Sequence, residues 1–280
     1  MRNSSASAPD LLAAYDAQIR RRPVADWPDD VVEHADGVVR VVSARGWSGV
    51  THTDLAGRDA DAVIAAQIAR IPGSWEWKHH SHDEPPDLPD RLLAAGFEAE
   101  ETETLMVADL RTLAIDASPP PGVEVRQVDG VADLIAVHDA VFGGDHAELA
   151  ASVHEGLARG TAVPVVAYAG ATPVASGRLE LQPGTEFASL WGGGTLPEHR
   201  GRGIFRALVA RRAQLAAERG FRYLQVDAME TSRPIFERLG FSALATTTPF
   251  IRPSGPRLPH AAPSSSRPTG AKLSTRSHGS

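Results

Sequence analysis

The sequence predicts an α/β protein built on a mixed sheet, and three observations carry that expectation. Short runs rich in β-branched and aromatic residues alternate with stretches of helical periodicity along both halves of the chain. Two adjacent runs, 162–169 and 174–182, flank a four-residue turn, Gly170-Ala171-Thr172-Pro173, as in a hairpin. A third run, 187–196, passes through a glycine- and arginine-rich turn into a helix, as in a strand-to-helix crossover.

In the first half, periodicity and end signals place a helix at 11–22, a strand at 38–43, a helix at 59–70, a strand at 74–78, a short helix at 89–95 and a strand at 97–109. Ala117-Ser118-Pro119-Pro120-Pro121-Gly122 then breaks the pattern, because consecutive prolines hold an extended backbone and fit neither a helix nor a central strand. Domains are therefore expected at 1–116 and 123–252, joined by a linker at 117–122, with the second able to stand alone. The segment 253–280 is dense in Pro, Ser, Gly and Arg without apolar periodicity and is expected to be disordered.

In the second half, the strand 187–196 is interrupted by Gly192-Gly193-Gly194, which fits a bulge. After it come a helix at 203–219 closed by Gly220, a strand at 222–228, a short helix at 232–239 closed by Gly240, and a last strand from Phe241. Ser232 is expected to cap the short helix, with Pro234 in its first turn. The ends of the two halves echo one another: aligned on Gly96-Phe97 and Gly240-Phe241, Ala99, Thr102 and Thr104 fall opposite Ala243, Thr246 and Thr248. A degenerate internal duplication is the expected cause.

The most informative stretch is Thr195-Leu196-Pro197-Glu198-His199-Arg200-Gly201-Arg202-Gly203-Ile204-Phe205-Arg206. Glycines let backbone approach an anion closely, the first N–H groups of a helix lack intrahelical partners, and the helix dipole adds positive charge at the same point. Arg200, Arg202 and Arg206 add fixed charge suited to phosphate oxygens. The helix at 59–70 has no such turn, so only the second half is expected to hold a phosphorylated cofactor.

With its flanking strings, 196–204 and Phe236-Glu237-Arg238-Leu239-Gly240-Phe241, this segment resembles the GCN5-related N-acetyltransferase (GNAT) superfamily. The family's turn reads Arg/Gln-x-x-Gly-x-Gly/Ala. From Arg200 the sequence matches the Arg and Gly203 but has Phe205 at the last small position; from Glu198 it matches both glycines but begins with an acid. The resemblance implies a GNAT fold in the second half and a degenerate GNAT-like domain in the first. It implies acetyl-CoA as co-substrate, held by Thr195, Leu196, Arg200, Gly201, Arg202, Gly203, Ile204, Phe205, Arg206 and Ser232. It further implies transfer of an acetyl group to the amine of a small molecule or peptide, an aminated sugar conjugate being one form of acceptor.

Many relatives carry a tyrosine in the final short helix that protonates the leaving thiolate, and Phe236 stands in that place. A non-catalytic acyl-CoA-binding sensor is therefore the alternative expectation. For the base, the resemblance points to Glu186, at the start of the strand that enters the bulge, although an offset of one residue turns a strand side chain to the other face. Asp227 and Glu230, at the C-terminal end of the following strand, are candidates for recognising a cationic acceptor.

The 280 residues contain no cysteine, which excludes disulfides, thiolate catalysis and Cys-based metal sites. The net charge of -7 argues against non-specific nucleic-acid binding, and nothing in the sequence has the length or apolarity of a signal peptide or membrane span, so a cytoplasmic location is expected. Almost all positive charge is arginine; the lysines are Lys78 and Lys272, a bias read as that of a GC-rich genome. His79-His80-Ser81-His82-Asp83 has ligand-type residues at close spacing but is expected to be a surface loop, with no metal. His138 and His154 are expected on helix faces, Trp75, Trp77 and Tyr223 in packing roles.

Overall fold

The computed structural model describes residues 7–115, 118–144 and 146–254. The expected tail lies outside these from 255 onward, as do two residues at the linker. In the first half the chain forms α1 (Ala8–Tyr15), continued by a π-helical turn (Asp16–Arg20), then β1 (Val31–Ala35), β2 (Val38–Val42), β3 (Gly49–Thr53), α2 (Ala60–Arg70), β4 (Trp75–His80), α3 (Leu88–Ala94), β5 (Glu98–Ala99) and β6 (Glu103–Asp109). The second half gives β7 (Val123–Gln127), α4 (Ala132–Phe142), α5 (Ala147–Ala158), β8 (Ala162–Ala169), β9 (Thr172–Leu181), β10 (Phe187–Thr195), a 3-10 turn (Pro197–His199), α6 (Ile204–Glu218), β11 (Tyr223–Ala228), α7 (Arg233–Arg238) and β12 (Ser242–Arg252).

The strands form one continuous sheet in the order β1-β2-β3-β4-β12-β6-β11-β10-β9-β8-β7, with β5 on β12. The halves exchange their last strands. β6, from the first half, pairs antiparallel with β11 of the second, and β12, from the second, pairs antiparallel with β4 of the first. β6 and β12 then pair with each other at the centre, where Thr104 faces Thr246, Glu103 faces Thr247, and the Thr102 and Thr248 hydroxyls bond at 2.9 Å. Under the alignment that equates Thr102 with Thr246 and Thr104 with Thr248, these contacts are reciprocal, so a local two-fold axis passes by the Glu103–Thr247 pair.

Burial explains why the exchange is stable. Leu105, Met106 and Val107 of β6 are all but inaccessible, and they alternate between the two faces of the sheet. Met106 joins the core under α6 and α7, while Leu105 and Val107 pack with Leu11, Tyr15, Phe187 and Tyr223 under α1. A further core, around Trp75, Trp77, Phe97 and Phe250, lies beneath α2 and α3. The expectation of a second half able to stand alone gives way here, since β6 runs through the middle of the sheet.

Each half also contains one parallel pair that stays together only briefly. β10 pairs with β11 from Phe187–Tyr223 to Ser189–Gln225 and then parts from it, and β3 pairs with β4 only at Gly49–Glu76 and Val50–Trp77. Both openings face the same central cavity.

Candidate active site

A cavity of about 900 Å3 runs through the sheet from the head of α6, past the gap between β10 and β11, to the central axis and the gap between β3 and β4. At its first end, Gly201 and Gly203 adopt φ of +72° and +82°, values that side chains rarely take, and a Cβ on either would meet no atom within 4 Å. The open space over these glycines is a cradle at the positive end of a 15-residue helix whose first backbone bond here is from Ala207 N–H to Gly203 O, at 3.1 Å. Arg200 and Arg206 line it; Arg200 Nε donates to Thr195 O at 3.0 Å, which sets that guanidinium beside the strand end.

Of the predicted cofactor residues, Thr195, Arg200, Gly201, Gly203, Ile204, Phe205, Arg206 and Ser232 line the cavity together. Thr195 is buried and its Oγ1 has no hydrogen-bond partner. Leu196 and Arg202 stand off the wall: the Leu196 N–H donates to Val174 O at 2.9 Å, and the Arg202 guanidinium turns to His199 Nδ1 at 3.2 Å. Ser232 occupies the cap position of α7, yet its hydroxyl donates to Met229 O at 3.1 Å and makes no side-chain cap.

The three glycines form the expected bulge. Trp191 faces Arg178 and Gly194 faces Ser176, so two residues of β10 stand opposite Gly177 alone. A Cβ on Gly193 would lie 3.0 Å from the Phe205 ring, and one on Gly194 would lie 2.9 Å from Val141 Cγ1, so both faces of the bulge are closed by packed side chains. Past Ser189 no β11 residue pairs with β10, which leaves that edge of the strand open to a ligand.

Glu186 is not at this site. It lies at the opposite end of β10, about half exposed, 3.4 Å from Arg222 and 3.2 Å from Gln18, outside the cavity wall. Phe236 does face the cavity, its ring 5.9 Å from Phe205 and 5.1 Å from Phe241, and it brings no proton donor.

Two features of the site were not anticipated. Arg212 is fully buried on α6, donating to Leu208 O at 3.2 Å, Arg178 O at 3.2 Å and Trp191 O at 3.4 Å, and no carboxylate pairs with it among the described residues. Burial, with Arg178 nearby, pushes it down to about 9. Its signal in the sequence was an arginine on the Ile204–Leu208 side of the helix, where the spacing calls for an apolar residue. The second feature is a charge cluster at the axis: Lys78 Nζ lies 2.9 Å from Glu103 Oε2 and 3.3 Å from Asp227 Oδ2. Burial works against the lysine charge, but Asp227, Glu103 and Glu76 together hold Lys78 well above the usual lysine range. Burial pushes Glu103 above the usual carboxylate range, against the pull of Lys78. The signal for this site was a lone lysine in an arginine-rich half.

The histidine segment departs from its expected place as a surface loop. His79 and His80 end β4, and His80 and Asp83 are buried; Asp83 Oδ1 accepts from Arg20 at 2.5 Å, and His82 lies 2.9 Å from Asp16. Among the described residues no group of three or more His, Asp or Glu is placed to hold a metal ion. His138 lies on α4 as expected, on its buried face, its ring edge-on to His146 with centroids 4.3 Å apart and 3.5 Å from where a Gly192 side chain would begin. At the head of α2 in the first half, Asp59 caps the helix and Asp61 follows in its first turn, so acidic groups stand where the second half has its glycines and arginines. That end disfavours phosphate.

Residues 135–241 match the model of the Acetyltransferase (GNAT) family, and this segment is a GNAT domain. No curated protein matches the chain. Among solved structures, a GCN5-related N-acetyltransferase from Kribbella flavida superimposes with a TM-score of 0.60 at 17% identity, over 89% of this chain and 95% of that one. A functionally unknown conserved protein from Staphylococcus epidermidis gives 0.57 at 15% identity, over 81% and 96%. A tandem GNAT protein from the clavulanic acid biosynthesis pathway gives 0.52 at 15% identity, over 91% of each chain. These likenesses establish a mixed α/β GNAT fold with a tandem layout, and the family supports acyl transfer in general. No helix among the described residues is long and apolar enough to cross a membrane.

Proposed function

From the GNAT domain at residues 135–241 we propose that the protein is an N-acetyltransferase that moves an acetyl group from acetyl-CoA to an amine. The observation that carries this reading is the continuity of the cradle at Gly201–Gly203, the open edge of β10 and the cavity at the axis, which together give a long ligand one path with phosphate recognition at one end. The orphaned Thr195 hydroxyl and the empty space over both glycines fit such a ligand. Arg200, Arg206 and the head of α6 hold the pyrophosphate, and bound acetyl-CoA supplies an activated thioester carbonyl at the bulge.

The amine nitrogen, once neutral, attacks the thioester carbon and forms the C–N bond. The bulge and the buried Arg212 cation behind it favour the negative charge that gathers on the carbonyl oxygen. As the C=O bond re-forms, the C–S bond breaks. An acceptor that enters as an ammonium releases two protons overall, one to solvent through a carboxylate and one to the departing thiolate. Glu103 and Asp227, held by Lys78, supply the carboxylates within reach of the axis, and neither depends on Glu186.

Gly203→Asp tests the cradle by calorimetry. Asp tolerates the left-handed conformation, so the fold should persist, while acetyl-CoA affinity should fall by at least about 30-fold, roughly 2 kcal/mol, from like charge and lost space. Unchanged affinity in a folded variant would remove this site from the account. Phe236 favours a second reading, an acyl-CoA-binding sensor, because it withholds the donor that a departing thiolate would use.

A further inference from the structure

The cavity is electrically divided. Arg200, Arg206 and Arg212 line its cofactor end, whereas its axial end gathers Glu76, Glu103 and Asp227 around the single ammonium of Lys78. The other charged groups facing this end do not restore balance. Arg20 is taken by Asp16 at 2.9 Å and Asp83 at 2.5 Å, and burial holds His80 far below the usual histidine range, so it stays neutral. Glu76 accepts a bond from Trp47 Nε1 at 2.9 Å, and among the described residues it forms no salt bridge of its own.

The two-fold relation explains how this end is built. Asp227 stands opposite Leu105 and Lys78 opposite Pro249, equivalent places on the two exchanged strands; Gln225 and Glu76 are related in the same way through Val107 and Ile251. Each half thus contributes one wall, and Glu103 lies between them on the axis. Duplicate positions have diverged into opposite charges at one pair and into an amide and a carboxylate at the other.

Two buried oxygens in these walls lack donors. Asp227 Oδ1 and Gln225 Oε1 are both enclosed and without a hydrogen-bond partner, on residues two apart in β11 that share a face and line the cavity. Unpaired buried acceptors are costly, and a donor-rich cation satisfies both. Among the described residues, the cations lining this end, Lys78 and Arg20, are already paired with carboxylates of the chain.

We propose, resting on the acetyltransferase reading above, that the axial end is the acceptor site and that it selects a primary amine bearing no carboxylate, held by Asp227 and Gln225 from one half and by Glu76 and Glu103 from the other. The acceptor is an alkyl or sugar amine; a free amino acid or a peptide C-terminus brings a negative charge into an acidic compartment. The first half therefore contributes substrate recognition rather than a surface alone.

The test uses the full chain saturated with CoA and a pair of probes that differ by one carboxylate, cadaverine and L-lysine, with binding read by calorimetry. Cadaverine should bind at least about tenfold more tightly than lysine. Asp227→Asn should weaken cadaverine by about tenfold or more and leave acetyl-CoA affinity within about twofold, with Glu76→Gln as a second variant should the first fail to fold. Equal or tighter binding of lysine, or no binding of cadaverine, would overturn the charge selection while leaving the cofactor reading in place. A wild-type chain that binds no acetyl-CoA would overturn the underlying reading instead.

Discussion

Removing the first half should abolish folding of the second, despite the proline-rich break between them. The fragment 118–254 loses β6, which pairs with β11 from Asp109–Tyr223 to Thr104–Ala228 and with β12 along its other edge. Leu105, Met106 and Val107 are 0%, 0% and 1% exposed, and burial of side chains of that size contributes about 1.5–3 kcal/mol each, roughly 5–9 kcal/mol for the three. A domain's whole stability is about 5–15 kcal/mol, so the loss is of the same size, and it leaves two central strands with bare edges. Circular dichroism and thermal melting of the isolated fragment should show no cooperative transition, and adding the fragment 7–115 should restore one. A monomeric 118–254 fragment that melts within about 5 °C of the full chain would refute the claim that strand exchange ties the halves together.

Phe236→Tyr places a hydroxyl on a ring that lines the cavity, and kcat should stay level or rise by up to about tenfold, because a donor is added beside the departing sulfur with little change of shape; a loss of kcat above that size would show that the ring's apolar contacts matter more. Glu186→Gln should change kcat/KM by less than about twofold, since the side chain lies outside the cavity, and a loss of a hundredfold would return it to the role of base. Burial lowers His52 to about 4 and, helped by His146, lowers His138 to about 3, so the folded chain binds fewer protons than the unfolded one below the ordinary histidine pKa. This stability is complete above about pH 6.5 and is lost as pH falls toward 4; at pH 5 each group costs about 1–2 kcal/mol, and the melting temperature should drop between pH 7.5 and 5. A flat melting temperature across that range would contradict the buried neutral histidines.

The elements that sequence located well are those whose ends carry chemical punctuation. The Gly201–Gly203 turn, the bulge at Gly192–Gly194 and the Gly96 and Gly240 helix stops require backbone conformations that few residues supply, and all four are where the pattern placed them. β1 and β3 were missed because their short runs, Val31–Ala35 and Gly49–Thr53, include charged, histidine and glycine residues that mask alternation. Strand exchange was invisible for a different reason: partners of β6 and β12 are chosen by long-range packing, and the local pattern of a strand is the same in either half. Thr102, Thr104, Thr246 and Thr248 signalled the duplication but not that its copies would pair with each other. The axial charge cluster was hidden likewise, because Lys78, Glu103 and Asp227 are far apart in the chain and meet only through the exchange.

Steady-state release of CoA thiol from acetyl-CoA, measured with and without primary amines, tests the central claim most directly. The account predicts release that requires both an amine without a carboxylate and an intact Gly203, with Gly203→Asp reducing it to background. Tight binding of acetyl-CoA with no amine-dependent release across alkyl amines, polyamines, aminosugars and peptide N-termini would contradict it and leave a binding protein in place of an enzyme.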